Sequence, residues 1–269
     1  MQTDRIENVV DSYEFGLLFE ERPTLEIGAL VNRLRRDGTV DLVSASDEVI
    51  QLAHPDHLVS VGDRKIPSLT NIVRWAKPLD LSDFESALEQ TFDWPEAEET
   101  VARCVHKVLV ADLIGAGLPY RERYELISTV AIAVAEHTEP TAIHWEPAGC
   151  IVEPARLKRR LTFYCNVRAH EITNRKGFEL MDTLGLAALG LVDAQCLYRQ
   201  RVSSEMARWM YSLGRQIFEK GDFINDGDAI PGPDPAQRWV CRHALAMIPP
   251  VRSVVDIASA EEKSSKSVH

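Results

Sequence analysis

Apolar positions along the chain follow two rhythms, and their alternation sets out the elements. Tyr13–Glu21 is a near-continuous apolar run and reads as a first strand. After Pro23 and Thr24, Leu25, Ala29, Leu30 and Leu34 recur at helical spacing. Asp37-Gly38 turns the chain, and Thr39–Ser46 and Glu48–Ala53 follow as short strands. His54–Asn71, punctuated by two prolines and Gly62-Asp63, reads as a loop or hairpin extension. The next helix starts with a capping-box spacing, Ser82 and Glu85, and shows an apolar face of Phe84, Ala87, Leu88 and Phe92.

Trp94-Pro95 then opens a further helix, with Glu96, Glu98 and Glu99 in the first turn, where the helix dipole favours carboxylates. Val101, Ala102 and Val105 continue its buried side, and His106 marks the junction to a strand, Lys107–Leu113. That run is apolar enough to be covered on both faces. Pro119 introduces the clearest helix, in which Tyr120, Tyr124, Ile127, Ala131 and Val134 step by three and four, and Thr141–Trp145 resumes as a strand. Leu161–Ile172 alternates: Cys165, Val167 and Ala169 on one face, Asn166, Arg168 and His170 on the other, as in an antiparallel strand. A last helix runs after Ser203-Ser204 through Met206, Met210, Leu213 and Ile217 to Gly221, and Arg238–Ile248 is a strand. The order predicts an α+β fold with a mixed, largely antiparallel sheet and packed helices. Its layout suggests two ferredoxin-like halves, 1–115 and 116–258, followed by a frayed tail, 259–269.

Composition narrows the function classes. The chain of 269 residues is 45% hydrophobic and 26% charged, ordinary globular values. No run reaches the ~20 apolar residues of a membrane span, and the polar N-terminus is unlike a signal peptide. Five cysteines, none in a CxxC pair, read as reduced thiols of a soluble cytoplasmic protein. Of the net charge of −11, residues 1–150 contribute 27 acids against 13 bases, whereas residues 151–269 hold 14 acids and 17 bases. Such an acidic first part repels phosphates, so nucleic acid is a poor partner. Arg156, Lys158, Arg159 and Arg160 form a basic cluster that reads as a solvated helix end; a phosphate contact there needs continuity with Arg168 and Arg175.

No catalytic signature is complete. His170-Glu171 begins like HExxH, but Asn174 stands at the second histidine and the segment is a strand. His144 and Glu146 share a strand face and, with Cys150, are the weak candidates for a metal, as are Asp226 and Asp228 in the turn Asn225–Gly232. That turn lacks the closing glutamate of a calcium loop. Gly185 and Gly190 sit in a glycine-rich stretch with neither GxGxxG nor a Walker lysine, so a nucleotide cradle is not expected. Trp94, Trp145, Trp209 and Trp239 read as packing residues.

One resemblance stands out. Leu81–Leu113, with its Trp-Pro-Glu-Ala helix start, resembles a diagnostic segment of the bacterial domain of unknown function 4261, and "AIHWEPAGCIV", "DTLGLAALGLVDAQ" and the segment from Asn225 to Leu245 follow in a similar order. The resemblance spans about Leu79 to Leu245 and carries no catalytic motif. It implies an immunity-like or secretion-accessory role, an association rather than a mechanism. The expectation is therefore a non-enzymatic, cofactor-free protein that binds another, basic protein, with Trp94, Glu96, Glu98 and Glu99 as contacts. The alternative is a metal-dependent enzyme or small-ligand binder using His144 and Glu146, together with Asp226, Asp228 or His170.

Overall fold

The computed structural model describes residues 12–158, 165–172, 175–199 and 201–259. Lys158's side chain, Arg159, Arg160, Leu161–Tyr164, Asn174 and the tail from 260 onward lie outside the described residues. The chain divides into two compact units, one within Asp11–Thr162 and one within Phe163–His269. The boundary expected at 115 falls inside the first unit, because the strands after it pair onto the first strand of the chain.

In the first unit seven strands make one antiparallel sheet. They are β1 (Glu14–Phe19), β2 (Asp41–Ala45), β3 (Val49–Val61), β4 (Arg64–Arg74), β5 (His106–Asp112), β6 (Ala142–Trp145) and β7 (Cys150–Val152), in the order β2-β3-β4-β5-β1-β6-β7. β3 and β4 form a long hairpin closed at Gly62, whose φ of 58° suits glycine. The expected hairpin extension is thus paired strand, with one register shift between His54 and Leu58. Helices α1 (Ile27–Leu34) and α4 (Tyr120–Thr138) pack on each other, and α4 lies against β1 and β5. A buried pair anchors this side: the Arg123 guanidinium on the Asp112 carboxylate, which also accepts from the Tyr13 N–H at 2.7 Å.

The opposite face is covered by short helices α2 (Glu85–Glu89) and α3 (Ala97–Ala102). Phe84, Ala87, Trp94, Ala97 and Val101 pack with Leu18, Ala142 and Ile151 into one cluster. Full burial of such side chains contributes ~1.5–3 kcal/mol each for the larger ones. Two expectations are corrected here. Ser82 is not the cap: Asp80 caps a 3-10 turn, Leu81–Phe84, that leads into α2, its carboxylate accepting from the Ser82 N–H at 3.0 Å. The helix stops at Glu89, so Phe92 leaves the apolar face and is 63% exposed.

Helix α5 (Pro154–Lys158) closes the described part of the first unit, and the described residues of the second form six strands and one α-helix. The strands are β8 (Asn166–Glu171), β9 (Glu179–Leu184), β10 (Asp193–Tyr198), β11 (Ala229–Pro231), β12 (Arg238–Leu245) and β13 (Ser253–Ser259), in the order β11-β12-β13-β10-β9-β8. Among the described residues, only β10 and β13 pair in parallel. Helix α6 (Ser203–Lys220) buries Met206, Met210, Leu213 and Ile217 as its spacing predicts, against β8, β9 and β10. Gly214 lets α6 approach closely, since a Cβ there would stand 2.6 Å from the Cys165 sulfur. The fold is α+β with two largely antiparallel sheets. With seven and six strands, each sheet exceeds the strand-helix-strand-strand-helix-strand unit expected for each half.

Candidate functional site

Strand register gathers one charged group on the first sheet. Gly16 of β1 stands opposite His144 of β6, and Leu18 stands opposite Lys107 of β5, so Glu14, Gly16, Lys107 and His144 share a face. Glu146 follows in a tight 3-10 turn that ends at Gly149, with φ 57°. Lys107 Nζ donates to Glu146 Oε1 at 2.5 Å. It reaches there over Gly16: a Cβ at that position would meet Lys107 Cε at 2.8 Å. His144 Nδ1 lies 3.7 Å from the same oxygen, beyond a hydrogen bond, and is buried without a partner. Its ring stands edge-on to Phe84 at 5.4 Å.

These surroundings set the protonation states. Burial, aided by the Lys107 charge and opposed by Glu146, brings the His144 pKa down to about 4. Burial first, then the neighbouring Glu146, pushes the Glu14 carboxyl up, while the Ser12 hydroxyl pulls the other way. The His144 imidazole is therefore neutral near neutral pH.

Of the expected metal ligands, His144 and Glu146 come together, and no third joins them among the described residues. Lys107 already occupies Glu146, and Cys150 pairs in register with Trp145, which places it on the other face from His144. Burial pushes the Cys150 thiol up to about 12. In the second unit, Asp228 accepts from the Asn225 N–H at 2.8 Å and Asp226 from the His243 N–H at 2.9 Å, around Gly227 at φ 87°. Both aspartates fasten a turn. Among the described residues, no group of three or more His, Cys, Asp or Glu side chains is placed to hold a metal ion.

Of the expected partner contacts, Glu96, Glu98 and Glu99 are exposed on α3, while Trp94 is buried in the cluster beneath it. Proline-95 turns the chain just where Trp94 points inward, so this tryptophan is packing rather than contact. Of the basic cluster, Arg156 is paired with Asp93 and the remainder lies outside the described residues; Arg168, with which a wider patch would have to be continuous, is buried.

Sequence reasoning missed a buried charge network in the second unit. On the face of the second sheet away from α6, Asp182 accepts from Arg168 at 3.0 and 2.5 Å and from Arg252 at 2.6 Å. Arg252 also donates to Asp193 at 3.2 Å and to the carbonyls of Thr183, Ile248 and Pro250. Burial alone raises a carboxyl, but the His170 ring 3.6 Å away, the Arg168 hydrogen bonds and both guanidinium charges outweigh it and bring Asp182 down to about 2. Asp193, buried further, is pushed up. Its carboxylate receives the Leu186 and Ala187 N–H groups, so the anion nest made by the glycine-rich stretch is filled by the chain itself. The alternation of Asn166, Arg168 and His170 was the only signal, and a polar face reads as solvated unless its partners are known.

The architecture is that of an α+β protein with two largely antiparallel sheets, each carrying a group of paired charges on one face. Residues 182–258, most of the second sheet, match the family described as Domain of unknown function (DUF4261). The resemblance read from sequence is thus found over that segment; Leu81–Leu113 lies outside it. No curated protein and no solved structure matches the chain. No helix among the described residues is long and apolar enough to cross a membrane.

Proposed function

We propose that the protein acts by binding a basic protein partner through the helical layer Asp80–Glu99. One observation carries this reading. Eight acids and no lysine or arginine lie between Lys77 and Arg103, all eight are exposed, and Phe92 stands 63% exposed among them. Asp93 is tied to Arg156 and Glu99 sits 3.8 Å from Arg103, while the other six form no ion pair among the described residues. Unpaired charges of one sign steer an oppositely charged partner, and an exposed aromatic side chain supplies an apolar anchor at the contact. A basic toxin or effector domain has the matching chemistry, in keeping with an immunity-like or secretion-accessory setting in bacterial cytoplasm. A metal-dependent reaction at His144 and Glu146 is less well supported, because Lys107 already takes up the Glu146 carboxylate.

Native mass spectrometry of the gently isolated protein identifies a bound polypeptide, and kinetics then test the surface. Glu96→Lys, Glu98→Lys and Glu99→Lys together slow association at least ~10-fold at low salt, and the difference shrinks as salt rises. A partner whose on-rate ignores these changes removes this surface from consideration.

A further inference from the structure

A cavity of about 240 Å3 opens in the first unit where β4 ends and β5 begins. Arg22, Arg74, His106 and Lys107 line it together with Trp75 and the acids Asp47 and Glu48. Trp75 is fixed by its backbone N–H, which donates to the Lys107 carbonyl at 2.9 Å, yet the residue is 46% exposed. The Lys107 ammonium stands 5.4 Å from the indole centroid while bound to Glu146.

The two arginines are unsatisfied. Arg22 forms no ion pair among the described residues. Arg74 donates through Nη1 to the Asp47 carbonyl at 2.7 Å, and its Nε is buried without any hydrogen-bond partner. Neither guanidinium pairs with the Asp47 or Glu48 carboxylate, although all four line the same cavity. Native proteins rarely leave buried donors unmet, and guanidinium forks match carboxylates. A flat exposed indole beside them offers a surface for an aromatic or apolar group.

The charge of the walls selects among anions. Glu146 neutralises Lys107, and Asp47 and Glu48 oppose the two arginines, so a polyanion meets repulsion that a single carboxylate does not. We infer that this cavity binds a monoanionic carboxylate bearing an aromatic or apolar group, with the carboxylate on Arg22 and Arg74 and the apolar part on Trp75. A free aryl acid and the C-terminal aromatic residue of a peptide share this chemistry. The site is independent of the acidic helical layer, so either reading can fail alone.

The test titrates the full chain with benzoate, N-acetyl-phenylalanine and phenyl phosphate. Binding is read by calorimetry and by the Trp75 indole N–H resonance, assigned with Trp75→Phe. Either carboxylate gives a saturable shift of that resonance, and phenyl phosphate binds more weakly. Arg74→Gln weakens carboxylate binding at least ~10-fold, the loss expected for a charge-assisted hydrogen bond. Arg22→Gln, at an exposed position that folding does not need, weakens it as well. Tighter N-acetyl-phenylalanine points to a peptide C-terminus and tighter benzoate to a free acid, and both support the site. No saturable shift with either carboxylate, a preference for phenyl phosphate, or unchanged affinity in Arg22→Gln overturns it.

Discussion

His54 offers a direct reading of how burial governs this protein's response to acid. It lies on β3 with 2% of its surface exposed, and its Nε2 is 2.8 Å from the Thr70 hydroxyl. The His57 ring stands edge-on at 6.4 Å. Burial, and then the His57 charge, bring its pKa from 6.5 down to about 4. The folded pKa lies below the unfolded one, so between those values the unfolded chain takes up the proton first. The stabilisation is complete above pH 6.5 and is lost as pH falls to about 4. At ~1.4 kcal/mol per pH unit, the loss is about 3 kcal/mol.

His54→Gln keeps a polar group toward Thr70 and never gains a charge, so the wild type's advantage over this variant isolates the effect. Urea unfolding at a series of pH values shows that advantage shrinking by about 2–3 kcal/mol between neutral pH and pH 4. A proton NMR titration of the His54 ring gives the same answer without assuming two-state unfolding. An imidazole that titrates near 6.5 in the folded protein, or a stability difference that does not change with pH, refutes the reasoning.

Gly16→Ala destabilises the first unit by ~1–3 kcal/mol in urea titrations, because its Cβ would crowd Lys107 and loosen the ion pair with Glu146. Adding Lys107→Ala removes that crowding, so the two changes are non-additive; strict additivity would mean that the passage over Gly16 does not matter. Asp182→Asn leaves Arg168 and Arg252 buried with less than one balancing charge each and costs ~3–5 kcal/mol in chemical unfolding. A loss below ~1 kcal/mol would show that solvent reaches the network.

Legibility in the sequence followed the kind of pattern involved. The 19-residue helix α4 and the 18-residue α6 were plain because three- and four-step apolar repeats bury one face regardless of what lies around them. β1, β5 and β6 were plain because apolar runs leave few alternatives. The strands of the glycine-rich region, β9 and β10, were not recognised: Asp182, Asp193 and Gln195 interrupt the apolar signal, and only the pairing of Asp182 opposite Gln195 reveals that they share a buried face. β13 was missed for the same reason, since Arg252 and Asp256 flank its apolar centre. At the site, the spacing of His144 and Glu146 announced a shared neighbourhood, but Lys107 comes from a strand 39 residues away from Glu146 and could not be read from either. Trp75, next to the cavity, carries no local pattern at all.

The two charged groups also show what separates a scaffold from a binding site. Arg252 makes five hydrogen bonds, as many as a guanidinium has N–H donors, and all of them go to the chain itself. Both Asp193 oxygens are likewise taken, by Thr183, Leu186, Ala187 and Arg252. A ligand would have to displace bonds that already exist, so density of charge there signals a closed frame. Arg74 is the opposite case: a single hydrogen bond from Nη1, a buried Nε with no acceptor, and an aromatic ring exposed beside it. The inferred site at the ends of β4 and β5 rests on unmet donors rather than on the number of charges.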